Sequence, residues 1–111
     1  MIALSHRTKE KAMIYFSRTA SIAPGRTGDA VAFAHVISKY ISENYETTLE
    51  VLMPIGGNPN RIAWRAHYDS LAQWEEATTR LAADKVYVEL VAKQSNTFVP
   101  GSVQDDLWRS V

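Results

Sequence analysis

The sequence predicts an α+β fold: one four-stranded antiparallel sheet with its helices packed on a single face. Three observations carry this. Apolar periodicity gives the order strand, helix, strand, strand, helix, strand. The stretch Arg61–Asp69 alternates with period two and then passes at Ser70 into a 3.6-residue pattern, so strand and helix adjoin directly. A chain of 111 residues is one domain by length and has no room for a third layer.

Residues 1–10 read as a polar N-terminal arm, with Ile2 and Leu4 its apolar tip, ahead of a single domain over residues 11–111. The first strand is expected over Lys11–Ser21. Its run Met13, Ile14, Tyr15, Phe16 is apolar on both faces, as in a central strand covered from two sides. Pro24-Gly25 marks a turn. Thr27 is the expected N-cap of the helix that follows, and Asp29 places negative charge in its first turn.

That helix runs from Ala30 to about Tyr45. At 100° per residue, Ala30, Phe33, Ile37, Tyr40, Ile41 and Asn44 share one face, and His35, Ser38 and Ser42 the other, which makes His35 a solvated residue. A second strand is expected over Thr47–Ile55, limited by Pro54. The glycines of Gly56-Gly57-Asn58-Pro59-Asn60 precede neither Lys-Ser nor Lys-Thr nor a helix, so they form a connection and not a phosphate cradle.

In the third strand Ile62, Trp64, Ala66 and Tyr68 point one way, and Arg61, Ala63, Arg65 and His67 the other. Ser70 and Gln73 have capping-box spacing, and Leu71, Trp74, Ala77, Thr78 and Leu81 line the next helix. The register is lost at Ala83–Asp84, where a break is expected. The run Val86–Val91 is rich in strand formers, but Val86 with Leu90 and Tyr87 with Val91 are also i,i+4 pairs. The expectation is a short helix over Lys85–Lys93, with a strand as the alternative. Ser95–Gly101 is a loop, and Gln104–Ser110 the last strand, with Leu107 and Trp108 on opposite faces.

This order suits a ferredoxin-like sheet of strand order 4-1-3-2. Both helices then cover one face, and a second copy of the chain is the expected cover of the other, in a twofold homodimer. Asp at Phe16 or Val51 is expected to break it.

Composition narrows the chemistry. Without cysteine there are no disulfides, thiolate–zinc sites or thiol nucleophiles, and a cytoplasmic location is the expectation. Twelve basic and twelve acidic residues leave no basic excess for nucleic acid. No apolar run is long enough to span a membrane. His6, His35 and His67 have no metal-ligand spacing, so no metal and no cofactor is expected.

Two constellations remain. Arg65 and His67 are two apart on one strand face. With Arg18 turned the same way they would make an acid-binding patch in which His67 acts as base, whereas the bland alternative is a dimer interface paired with Glu50 or Asp106. On the other face Tyr15 or Phe16, with Trp64, Tyr68 and Trp74, either line a pocket for a flat aromatic ligand or fill the core. Ser70 is a cap and not a nucleophile. The adjacent carboxylates Glu75-Glu76 and Asp105-Asp106 diverge.

The residues Tyr68-Asp69-Ser70-Leu71, Trp74-Glu75, Asp84 and Tyr87, with the Pro24-Gly25 turn, resemble the dimeric α+β barrel superfamily, which includes NIPSNAP-like and antibiotic-biosynthesis-monooxygenase-like proteins. The resemblance covers nearly all of the chain after residue 10. It implies two sheets packed back to back across a dimer, and a pocket between each sheet and its helices. The superfamily includes quinone-forming monooxygenases, haem-degrading enzymes, decarboxylases, isomerases and members without known activity, and fold does not choose among them. The axial His and the Asn of the haem degraders have no residue-by-residue match here.

Overall fold

A computed structural model describes residues 12–111. The expected arm, and Lys11, lie outside those residues. The elements are β1 (Ile14–Ser21), α1 (Thr27–Asn44), β2 (Glu50–Leu52), β3 (Arg61–Tyr68), α2 (Leu71–Ala82), α3 (Lys85–Ala92) and β4 (Gln104–Arg109). They form one antiparallel sheet of order β2-β3-β1-β4, the expected order, and the fold is ferredoxin-like α+β.

Register follows from the pleat. Ile14 faces Tyr68, Phe16 faces Ala66, Arg18 faces Trp64 and Ala20 faces Ile62, so these pairs share the helix-covered face. Ile62, Trp64, Ala66 and Tyr68 are all buried there. The opposite face carries Tyr15, Ser17 and Thr19 of β1, Ala63, Arg65 and His67 of β3, and Asp106 and Trp108 of β4. The described residues place no layer over it.

Helix α1 buries Ala30, Ala34, Ile37 and Ile41. The two alanines are fully buried, and their small side chains bring the helix close to the sheet. The stripe is rotated from the expected one. Asn44 is exposed and its amide donates to the Tyr40 carbonyl, while Ser38 is half-buried and Ser42, exposed as expected, lies beside the segment that leads into β2. The Ser38 hydroxyl donates to the Leu49 carbonyl, and the Ser42 hydroxyl accepts from the Leu49 amide. Those bonds explain why β2 has only three residues rather than the expected nine. The chain before Glu50 is tied to α1 instead of to β3, and Pro54 cannot donate to a longer ladder. Thr27 is also not the N-cap. It is already helical, and Arg26 occupies the cap position without a side-chain cap, pairing instead with Asp29 at 2.8 Å. Gly25, at φ 76°, supplies the left-handed turn residue before it.

Ser70 does cap α2: its Oγ accepts from the Gln73 amide at 3.1 Å. Gln73 reaches back one residue further than in the usual box, accepting from the Asp69 amide at 2.7 Å. The break after Ala82 is where expected. Asp84 Oδ1 accepts from the Val86 and Tyr87 amides, and this cap turns the strand-rich run into α3. Neither α2 nor α3 has a fully buried residue. The expected loop Ser95–Gly101 is more ordered than its composition suggests. Phe98 bridges to Ile22, the Thr97 carbonyl accepts from Ala23, and Thr97 is completely buried.

Candidate functional site

Between the sheet and its helices lie two groups of aromatic rings. Phe33, Trp64 and Phe98 pack edge to face, with centroids 5.6–6.3 Å apart, under α1. Phe16 and Trp74 meet at 6.5 Å under α2. Arg18 stands beside both groups, opposite Trp64 in the register and 5.8 Å above the Phe16 ring. Its Nε and Nη2 donate to the two oxygens of Asp105 on β4, at 2.7 and 2.9 Å. This fork-to-fork pair raises the guanidinium's affinity for its proton, against the opposing effect of partial burial, and Tyr87 of α3 adds a small push in the same direction. The indole Nε1 of Trp64 is buried and has no hydrogen-bond partner among the described residues, an unusual condition for a buried donor. On this side of the sheet β4 is poorly covered: Leu107, which faces Phe16, is 41% exposed.

A second feature lies at the end of β3. A polar cleft of about 400 Å³ opens between Ser42, Tyr45, Glu46, Thr47, His67, Tyr68, Asp69 and Gln73. Tyr45 and Tyr40 both donate to Asp84 Oδ2, at 2.8 and 2.6 Å. The two phenols, Tyr40 first, hold the Asp84 carboxyl below its ordinary value. Burial, and then the bond to Asp84, pushes the Tyr45 hydroxyl up to about 12. Burial also raises Tyr68. Asp84 thereby joins α1, the end of the cleft and the start of α3.

The residues singled out from sequence fall into separate places. Arg65 and His67 share the open face, but Arg18 points to the helices, so the three do not converge. Arg65 pairs with Glu50 at 3.3 Å, with both side chains about half exposed. His67 packs against Tyr15 at 6.2 Å and borders the cleft, whose nearby charges are the carboxylates of Glu46 and Asp69. Tyr15 is on the open face, because adjacent strand residues alternate, and Phe16 takes the place beside Trp74. Trp64 and Trp74 are both on the helix side, in different aromatic groups, and Tyr68 lies at the cleft. Sequence reasoning missed Arg18 as a helix-side residue and its partners Asp105 and Tyr87. The signal was present: Phe16, Arg18 and Ala20 are two apart, and a charge between apolar positions on a covered face needs a partner. Among the described residues no group of three His, Asp or Glu is placed to hold a metal, and no helix is long and apolar enough to cross a membrane.

No protein-family model matches this sequence, and no curated protein is detectably similar to it in sequence. Solved structures are similar in fold. A NIPSNAP family protein of unknown function from Agrobacterium tumefaciens superposes with a TM-score of 0.71 at 18% identity, over 89% of this chain and 88% of its own. An uncharacterized NIPSNAP domain protein from Burkholderia xenovorans gives 0.74 at 16%, over 88% and 94%. A cofactor-independent oxygenase from Streptomyces nogalater, as its N63A mutant, gives 0.65 at 7%, over 88% and 92%. The chain therefore has the fold of NIPSNAP-like and monooxygenase-like proteins. At these identities the likeness concerns fold alone.

Proposed function

We propose that this chain forms a homodimer through the open face of its sheet and binds a small apolar or aromatic molecule between sheet and helices. The observation that carries the ligand reading is the Trp64 indole N–H. It is a buried donor without an acceptor among the described residues, and it belongs to a layer of aromatic rings that β4 and α3 leave incompletely sealed. A ligand acceptor in that layer removes the desolvation cost of the bare donor. The dimer reading rests on the uncovered face itself. Trp108, Tyr15 and His67 form an aromatic row at one end of it, and Glu50, Arg65, Ser17 and Asp106 form an adjacent polar row in which both charge signs occur. A second copy supplies both signs in return, which suits a self-complementary contact.

A second reading, oxygenation of an aromatic substrate without a cofactor, is favoured by the same donor, since a phenol held by Trp64 and Arg18 against Phe16 and Trp74 is oriented for reaction. A thermal-shift series with naphthols, quinols and fatty acids tests binding. Oxygen uptake tests the second reading, with one O2 consumed and one water formed for each phenol converted to quinone. The ligand reading predicts stabilisation by at least one compound class; no shift with any of them refutes it.

A further inference from the structure

We infer that Arg18 is an anion subsite for a ligand carboxylate, and that Asp105 is the internal carboxylate that such a ligand displaces. The inference rests on the proposed site between sheet and helices and names the chemical class that site takes: a monocarboxylic acid with a flat or otherwise apolar body.

The donors are all of one kind. Arg18 spends Nε and Nη2 on Asp105, while its Nη1 has no hydrogen-bond partner among the described residues. Trp64, its register partner on the same face, carries the bare buried N–H. Beside these donors the one acceptor bonded to Arg18 is Asp105, so a neutral ligand without a strong acceptor leaves the set unsatisfied. The apolar part of a ligand has Phe16 and Trp74 to lie against.

Asp105 is built to leave. It stands on β4, the edge strand, with its side chain 44% exposed, so a rotation puts its carboxylate in water. An ion pair with this exposure contributes little to stability. Arg18 is anchored differently, on a central strand and over the Phe16 ring. The two side chains are similarly exposed, at 38% and 44%, so it is the edge position of β4 that makes the carboxylate the member that leaves, and its two oxygens mark the geometry an incoming carboxylate adopts on the guanidinium fork.

The test uses 2-naphthoic acid and its methyl ester, titrated by quenching of tryptophan fluorescence against the full chain and its Arg18→Gln and Asp105→Asn variants. Circular dichroism checks that each variant is folded. The wild-type chain binds the acid at least tenfold more tightly than the ester. Asp105→Asn tightens the acid at least fivefold and leaves the ester unchanged, because it removes the internal competitor but keeps its shape. Arg18→Gln abolishes the preference for the acid. An Asp105→Asn variant whose affinity for the acid is unchanged or weaker overturns the inference, as does an Arg18→Gln variant that still prefers the acid. Ester and acid binding equally to the wild type also overturns it while leaving the ligand reading standing. Absence of binding by either probe to any of the three proteins overturns both.

Discussion

Trp108→Asp separates a dimer built on the open sheet face from a monomer. Trp108 is 67% exposed on a single chain. With about 250 Å² for the whole side chain, a partner covering it removes up to about 170 Å² from water, roughly 4 kcal/mol at ~25 cal/mol per Å². A twofold contact includes the residue twice, and association costs absorb part of the gain. Retaining only half of the combined figure still leaves about 4 kcal/mol, a factor of about a thousand in the dissociation constant. The buried carboxylates add to the penalty. Because the side chain touches little within its own protomer, the substitution changes the protomer's own stability by no more than about 0.5 kcal/mol. Sedimentation velocity across a hundredfold concentration range measures the dissociation constant, and far-UV circular dichroism checks the fold. The reasoning fails if the variant and the wild type dissociate alike, or if the wild type is a monomer throughout. Phe16 and Val51, the positions first expected to report on the dimer, face the helices, so a charge there disrupts the core instead.

Three further outcomes are expected. Ser70→Ala removes the Oγ acceptor from the Gln73 amide and lowers stability by about 1 kcal/mol in urea unfolding; an unchanged midpoint locates the start of α2 elsewhere. Asp84→Asn weakens the junction of α1 and α3 at neutral pH. Since the folded carboxyl is held below its ordinary value, its stabilisation is present above about pH 4, the unfolded value, and is lost as pH falls through the folded one, so wild-type and variant melting curves converge on acidification. A constant gap between them down to pH 2 contradicts the charge-based account. For Tyr45 the sign is opposite. With its hydroxyl at about 12, the folded state holds the proton more tightly than the unfolded chain, and the stability this gives below about pH 10 is lost as pH rises from there toward the folded value. Tyr45→Phe flattens the alkaline limb of the stability curve; a limb as steep as the wild type's assigns it to other groups.

How much was legible beforehand depended on how local the cause was. Alternation over Arg61–Tyr68 is a property of the strand alone, and it correctly separated Ile62, Trp64, Ala66 and Tyr68 from Arg61, Ala63, Arg65 and His67. The Ser70 cap and the break before Asp84 arise from side chains bonding to amides two or three residues away, and they were equally visible. The second strand was over-extended because its length is set by Ser38 and Ser42 on a helix, through bonds to Leu49 that no strand pattern contains. The rotation of the α1 stripe has the same origin.

Pairing across strands is the step that residue order leaves undetermined. Sequence alone determined the positions of the four strands along the chain, the start of α2 and which side chains of β3 share a face, because these follow from backbone periodicity and nearby hydrogen bonds. Only the tertiary structure decided that Arg18 meets Asp105, 87 positions away, beside the bare N–H of Trp64, that Tyr40 and Tyr45 converge on Asp84, and that Tyr15 lies with His67 and not with Trp74. Such meetings depend on sheet register and on how closely two alanines let a helix approach, and both are set by packing over the whole chain rather than by any one stretch of it.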